Sequence, residues 1–269
     1  MDKLEKFKEL SLKSVDASAD IGLINRYSVK ELTPKDVYCF SVILCDNDID
    51  RDTERFANAT LDALAPLFFG KTGISDHYWS AERQIARLYR VEVEDGGKNN
   101  ALGEPLRVLR GSAYMLNNET NRAVIEAIEG GIMKEVSVGV RINKRACSVC
   151  GETLRLDWRT WMDQCENGHI KGESYDGELC YGSLEEPTDA YEFSFVAVPA
   201  QVGAGVTKGA ENLDGAFKLI MAADLSGHAD KIKAIIPVFQ KSLMDTEERE
   251  ARAKIIEDNE AFRERFAEI

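Results

Sequence analysis

Between residues 147 and 180 the chain holds four cysteines and a histidine at a spacing that suits a metal. Cys147, Cys150, Cys165 and His169 read C-x2-C-x14-C-x3-H. Two close pairs separated by a loop match tetrahedral zinc, because each short pair spans one edge of the tetrahedron. Cys180 is a fifth candidate, so four of these five side chains are expected to bind Zn2+. Four protein ligands leave no open coordination position, which makes the expected site structural, not catalytic. The competing reading is a group of free, partly buried thiols. The remaining cysteines, Cys39 and Cys45, flank strand apolars and read as core residues.

A second set of residues suits nucleophilic chemistry. In "GGIMKEVSVGVRI" the valines at 136, 138 and 140 alternate with Ser137 and Gly139. That period of two puts the valines on one face of a strand and Ser137 on the other. Gly139 then leaves space for a substrate backbone to approach. A serine acts as a nucleophile only if a base takes its proton, and a third group usually orients that base. Of the three histidines, His169 lies among the cysteines and His228 at an expected helix start in "LSGHADK". His77, in the loop segment "GISDHYWS", is the one good candidate base. A solvated serine and a surface histidine are the plain alternatives. In "YEFSFVAVPAQ", Tyr191, Phe193 and Phe195 are expected on one strand face, with Glu192 and Ser194 on the other. If the two strands are neighbours, Ser137 and Glu192 open onto one groove.

The elements that would position these groups can be read along the chain. "DVYCFSVILC", "IARLYRVEVE" and "PLRVLRGSAYML" are rich in β-branched and aromatic residues and predict strands. Residues 57 to 69 carry helical spacing, with Pro66 late in the segment. A second helix is expected before Gly130-Gly131, capped by Asn118 or Thr120, with Val124, Ala127 and Ile128 along its apolar face. Residues 145 to 183 are polar and dotted with glycine, as befits a module inserted between two strands. From about 205 the pattern is helical, ending in a long charged helix with Ile255, Phe262 and Phe266 on one stripe.

Composition narrows the function classes. A chain of 269 residues can bury one full core with an appended element. Its net charge of −13 argues against nucleic acid as the main partner, since phosphate binding needs concentrated Lys and Arg. No apolar run approaches the length that spans a bilayer, so no membrane role is expected. The opening "MDKLEKFKEL" lacks the apolar block of a signal peptide, and a cytoplasmic location is the expectation.

The order of the blocks resembles the prohead (capsid-maturation) serine proteases of tailed phages, which are related to the herpesvirus assemblin proteases. The resemblance runs from about 36 to about 208. It rests on the Asp-rich turn "DNDIDRDTERF", the Asp-His block "SDHYWSAERQIARLYRVEVE", the helix-to-strand block "AIEGGIMKEVSVGVRI" and the strand "YEFSFVAVPAQ". It implies an α+β, mainly β fold, a herpesvirus-protease-like β-barrel flanked by helices. It also implies Ser137 as nucleophile, His77 as base and Glu192 as third member, with Asp189 and Asp76 as rivals for that last role. Backbone N–H groups or Arg141 are the candidates for stabilising the oxyanion. The implied partners are the major capsid protein and scaffold as substrates, in an assembling prohead in the host cytoplasm. Self-cleavage and a homo-oligomer are further expectations. The expected organisation is a charged leader (1–20), a protease domain (21–205, with the zinc module at 145–183) and a helical extension (206–269). The rival function is a non-catalytic zinc-containing capsid assembly protein.

Overall fold

The computed structural model describes residues 17–207. Most of the expected leader, and the expected helical extension from 208 with His228 and the Ile255/Phe262/Phe266 stripe, lie outside the described residues. Within them the chain is mainly β, with three α-helices: α1 (Ala17–Ile24), α2 (Asn58–Phe68) and α3 (Arg122–Glu129). The expected α+β, mainly β class is what the structure shows.

Strands β1 (Val37–Asp46), β2 (Glu54–Phe56), β3 (Thr72–Ser75), β4 (Ala86–Asn99) and β5 (Pro105–Leu116) precede α3 or flank α2. Then come β6 (Val136–Cys147), two small hairpins, β11 (Gly182–Phe195) and β12 (Gly205–Thr207). The main sheet runs β12-β1-β5-β4-β3-β11-β2, with β6 paired to the other edge of β11. The core is built from alternating faces of these strands. Phe40, Val42 and Leu44 of β1, Leu88 of β4, Leu109 and Met115 of β5, and Phe193 and Phe195 of β11 meet Leu61, Leu64 and Phe68 of α2. Cys39 and Cys45 are buried, as expected of core residues.

No closed barrel is seen among the described residues: β12 has only three residues, and one isolated bridge, Glu135 to Gly205, links it to the start of β6. Two expectations need correction. Helix α3 begins at Arg122 after Asn121, and its buried face is Ile125 and Ile128; neither Asn118 nor Thr120 is its N-cap, although Asn118 Oδ1 accepts from the Asn121 N–H. Tyr191 does not share the Phe193 face. The β6–β11 register shifts between Ala190 and Glu192, and this bulge leaves Tyr191 exposed against Trp79, ring centroids 5.3 Å apart.

The first and last motif blocks dock onto each other. Gln201 clamps the backbone of buried Asp46, accepting from its N–H at 2.6 Å and donating to its carbonyl at 3.1 Å. Arg51 donates from its side chain to the Pro199 carbonyl and from its backbone to Ala200. This contact fixes the chain just beyond β11. Gln201→Ala strands two buried backbone groups, so it is expected to destabilise by about 2–4 kcal/mol. The measurement is a denaturant midpoint that falls at unchanged m-value.

Candidate functional site

β11 is the element on which the site is assembled. Its end runs parallel to β3, with Glu192 opposite Thr72 and Ser194 opposite Ile74. On its other edge it runs antiparallel to β6, with Glu192 opposite Gly139 and Ser194 opposite Ser137. Residues directly opposite in an antiparallel pair point to the same face, with Cβ atoms about 4.5–5.5 Å apart. Ser137, Ser194 and Glu192 therefore share one face, while Val138 and Phe193 turn toward the core.

His77 lies two residues beyond β3 and closes over that face. Its Nδ1 sits 2.7 Å from Glu192 Oε1, and its backbone N–H donates to Ser194 Oγ at 3.0 Å. The imidazole is 42% exposed, whereas the Glu192 side chain is 2% exposed. A carboxylate so buried needs donors on both oxygens, and the Ser194 hydroxyl supplies the second at 2.7 Å to Oε2. His77 and Asp76 both adopt the left-handed region, with φ of 51° and 56°. Two successive non-glycine residues there are uncommon, and such strain concentrates where a side chain must be aimed. The Asp76 N–H to the Phe195 carbonyl and the Tyr78 N–H to the Ser75 carbonyl hold this turn.

The candidate residues thus fall out unevenly. His77 and Glu192 are joined directly. Ser137 is half-buried on the same face, and its hydroxyl makes no hydrogen bond to His77 or to any other described residue. Catalytic hydrogen bonds are often open without substrate and tighten when it binds. Of the rivals to Glu192, Asp189 is engaged with Lys71 at 3.1 Å, and Asp76 makes no bond to the imidazole. Arg141 stands opposite Asp189, four residues along β6 from Ser137, or about 13 Å at ~3.3 Å per residue.

Gly139 has a different role from the one its position in the sequence suggests. A Cβ built there would stand 2.4 Å from Glu192 Oε1, so the absent side chain makes room for the carboxylate, not for substrate. Gly139→Ala must push Glu192 off His77 or part the two strands. The expected result is a His77 imidazole released from Glu192, read as a changed nitrogen-15 histidine NMR spectrum, with the fold checked by thermal melting.

The opposite end of the same two strands carries the metal candidates. Cys147 ends β6, and Cys180 precedes β11 by two residues. His169 Nδ1 lies 3.3, 3.5 and 3.7 Å from the sulfurs of Cys150, Cys165 and Cys147, and Cys150 Sγ lies 3.6 Å from Cys165 Sγ. Bonds of about 2.3 Å to sulfur and 2.0–2.1 Å to nitrogen give tetrahedral edges of roughly 3.5–3.8 Å. The four atoms thus fit a tetrahedral metal ion, with all four within 4.8 Å of one another. Cys180 lies outside this set, its Sγ 3.6 Å from that of Cys147. Burial pushes the Cys147 and Cys165 thiols up. Cys150 is pulled down to about 6, first by the Asn167 side chain and then by the Glu152 N–H.

The module has a small core of its own, Leu154 packed among the cysteines. Its hairpins are β7 (Arg155–Asp157) with β8 (Met162–Gln164), and β9 (Ser174–Tyr175) with β10 (Glu178–Leu179). An alternating ring of charges ties it to the sheet. Lys171 meets Glu54 of β2 at 2.8 Å and Asp163 at 2.9 Å, and Arg145 of β6 meets Glu54 at 3.2 Å and Asp163 at 2.9 Å.

Comparison with protein-family models, with curated proteins and with solved structures finds no match to this chain.

Proposed function

We propose that this chain is a serine endopeptidase of the prohead-maturation type, with Ser137 as nucleophile, His77 as general base and Glu192 as the group that orients it. One observation carries the reading. The buried Glu192 carboxylate holds His77 Nδ1 at 2.7 Å, while Ser137 stands on the adjoining strand, facing the same side. Peptidase triads divide the imidazole in this way, with the acid on Nδ1 and the nucleophile served by Nε2.

In the proposed reaction, His77 Nε2 takes the Ser137 proton as Oγ attacks a peptide carbonyl. The tetrahedral oxyanion is stabilised by backbone N–H groups. His77 then gives the proton to the leaving amine, which departs as the acyl-enzyme ester forms. Water, deprotonated by His77, attacks the ester and restores Ser137. Glu192 keeps its charge throughout and stabilises the imidazolium. The metal module takes no chemical part. Zn2+ is the ion we assign to Cys147, Cys150, Cys165 and His169, because three thiolates and an imidazole are the soft, tetrahedral set that zinc favours. When bound, it would cross-link the excursion between β6 and β11.

The substrates under this reading are the major capsid protein and scaffold, and the chain itself, within an assembling prohead in a host cytoplasm. The herpesvirus-protease-like barrel belongs to the same proposal. Its support is that the Val206 N–H reaches the Lys134 carbonyl at 2.7 Å beside the Glu135–Gly205 bridge, which brings β12 against the start of β6. Co-expression with the shell and scaffold proteins tests the function. Processing should occur with the wild-type chain and disappear with Ser137→Ala; processing unchanged in the variant would remove Ser137 from the mechanism.

A further inference from the structure

We propose that Ser194 is a positioning residue that locks the tautomer and aim of His77; the inference rests on the reading of His77 as the general base. Ser194 is fully buried, and its single hydroxyl is used twice. It accepts from the His77 backbone N–H at 3.0 Å and donates to Glu192 Oε2 at 2.7 Å. The other oxygen of Glu192 meets His77 Nδ1 at 2.7 Å. These three bonds make a closed ring that grips one histidine by both its main chain and its imidazole.

Each bond has a separate consequence. An ionised carboxylate only accepts, so Nδ1 must carry the hydrogen and Nε2 the lone pair that a serine proton needs. The terminal torsion of a glutamate is soft. The aim of Oε1 therefore depends on what holds Oε2, and Ser194 is the donor there. The His77 N–H bond tethers the left-handed turn at Asp76 and His77 to β11. Ser194 faces Ser137 across the strands, but the two hydroxyls are not alternatives as nucleophiles. Ser194 gives its proton to Glu192, not to the imidazole, and is closed off from any peptide.

The test reads the imidazole directly. The chain has three histidines, so nitrogen-15 histidine NMR of the full zinc-loaded protein resolves His77 without substrate. Neutral His77 should be protonated at Nδ1 in the wild type. Ser194→Ala should shift it toward the Nε2–H form and lower kcat for a peptide substrate by about 10- to 100-fold, with KM within about twofold. Ser194→Thr keeps the hydroxyl and should restore the tautomer and most of kcat. The proposal is overturned if folded Ser194→Ala keeps the wild-type tautomer and kcat, or if folded Ser194→Thr is as impaired as the alanine variant. Should Ser194→Ala not fold, an Nε2–H tautomer in the wild type overturns it and an Nδ1–H tautomer supports it. Cleavage that survives Ser137→Ala would remove Ser137 from the mechanism and leave this proposal standing, because the tautomer is measured without turnover.

Discussion

Glu192→Gln is expected to lower kcat about 10,000-fold while KM and melting temperature stay near the wild-type values. The change is nearly isosteric, so the pocket opposite Gly139 stays filled and Ser194 still finds an oxygen to donate to. What changes is the sign of the partner at His77 Nδ1. A carboxylate can only accept there, whereas an amide can turn its NH2 toward the ring and favour the tautomer with Nε2 protonated. That tautomer has no lone pair for the Ser137 proton, and the imidazolium formed during attack loses its counter-charge. The measurement is steady-state hydrolysis of a peptide substrate with a melting curve of the same preparation. A variant that keeps a tenth or more of wild-type kcat would show that Glu192 does not orient the base.

Stripping the metal is expected to have the largest effect on stability. Isolated zinc peptides gain about 10–16 kcal/mol from structural zinc at neutral pH. If only a third of that survives as stabilisation of this domain, its loss lowers the melting temperature by about 10 °C, at roughly 2–4 °C per kcal/mol. The excursion between Cys147 and Gly182 packs only Leu154, Val149 and Tyr175 with its cysteines, while Leu156, Trp158, Trp161, Met162 and Leu179 stay exposed, so its own core is small. The loss should also reach the Ser137 end of β6. Cys147 pairs with Gly182 in the ladder that places Ser137 opposite Ser194, and among the described residues β11 is the one strand laddered along β6. Chelator-treated protein should therefore melt lower and lose activity, and both should return on adding Zn2+. Full activity and an unchanged melting curve without metal would separate the module from the site.

Much of this arrangement is legible from residue order, for identifiable reasons. Valine alternation marks β6 and assigns Ser137 its face, because a half-buried strand repeats every two residues. The metal group is legible because short ligand pairs obey the edge length of a tetrahedron. His77 emerges because the chain has so few histidines. Other features depend on packing that no local pattern encodes. Strand β3 is only four residues long and contains Gly73, which weakens its strand signal; the glycine is needed because a Cβ there would meet the Phe193 ring at 2.4 Å. The bulge at Tyr191 breaks the alternation on which its face was inferred. The role of Gly139 depends on Glu192, 53 positions away in sequence. Barrel closure turns on whether a three-residue β12 extends its pairing, a matter of length and not of hydrophobic period.

Covalent capture tests the central claim most directly. A fluorophosphonate reacts only with a serine whose proton a neighbouring base removes. Intact-mass and peptide mapping of the treated, zinc-loaded protein should find one adduct, on Ser137, and should find none in His77→Ala. An adduct confined to another serine, or no adduct on a folded protein, would contradict the account.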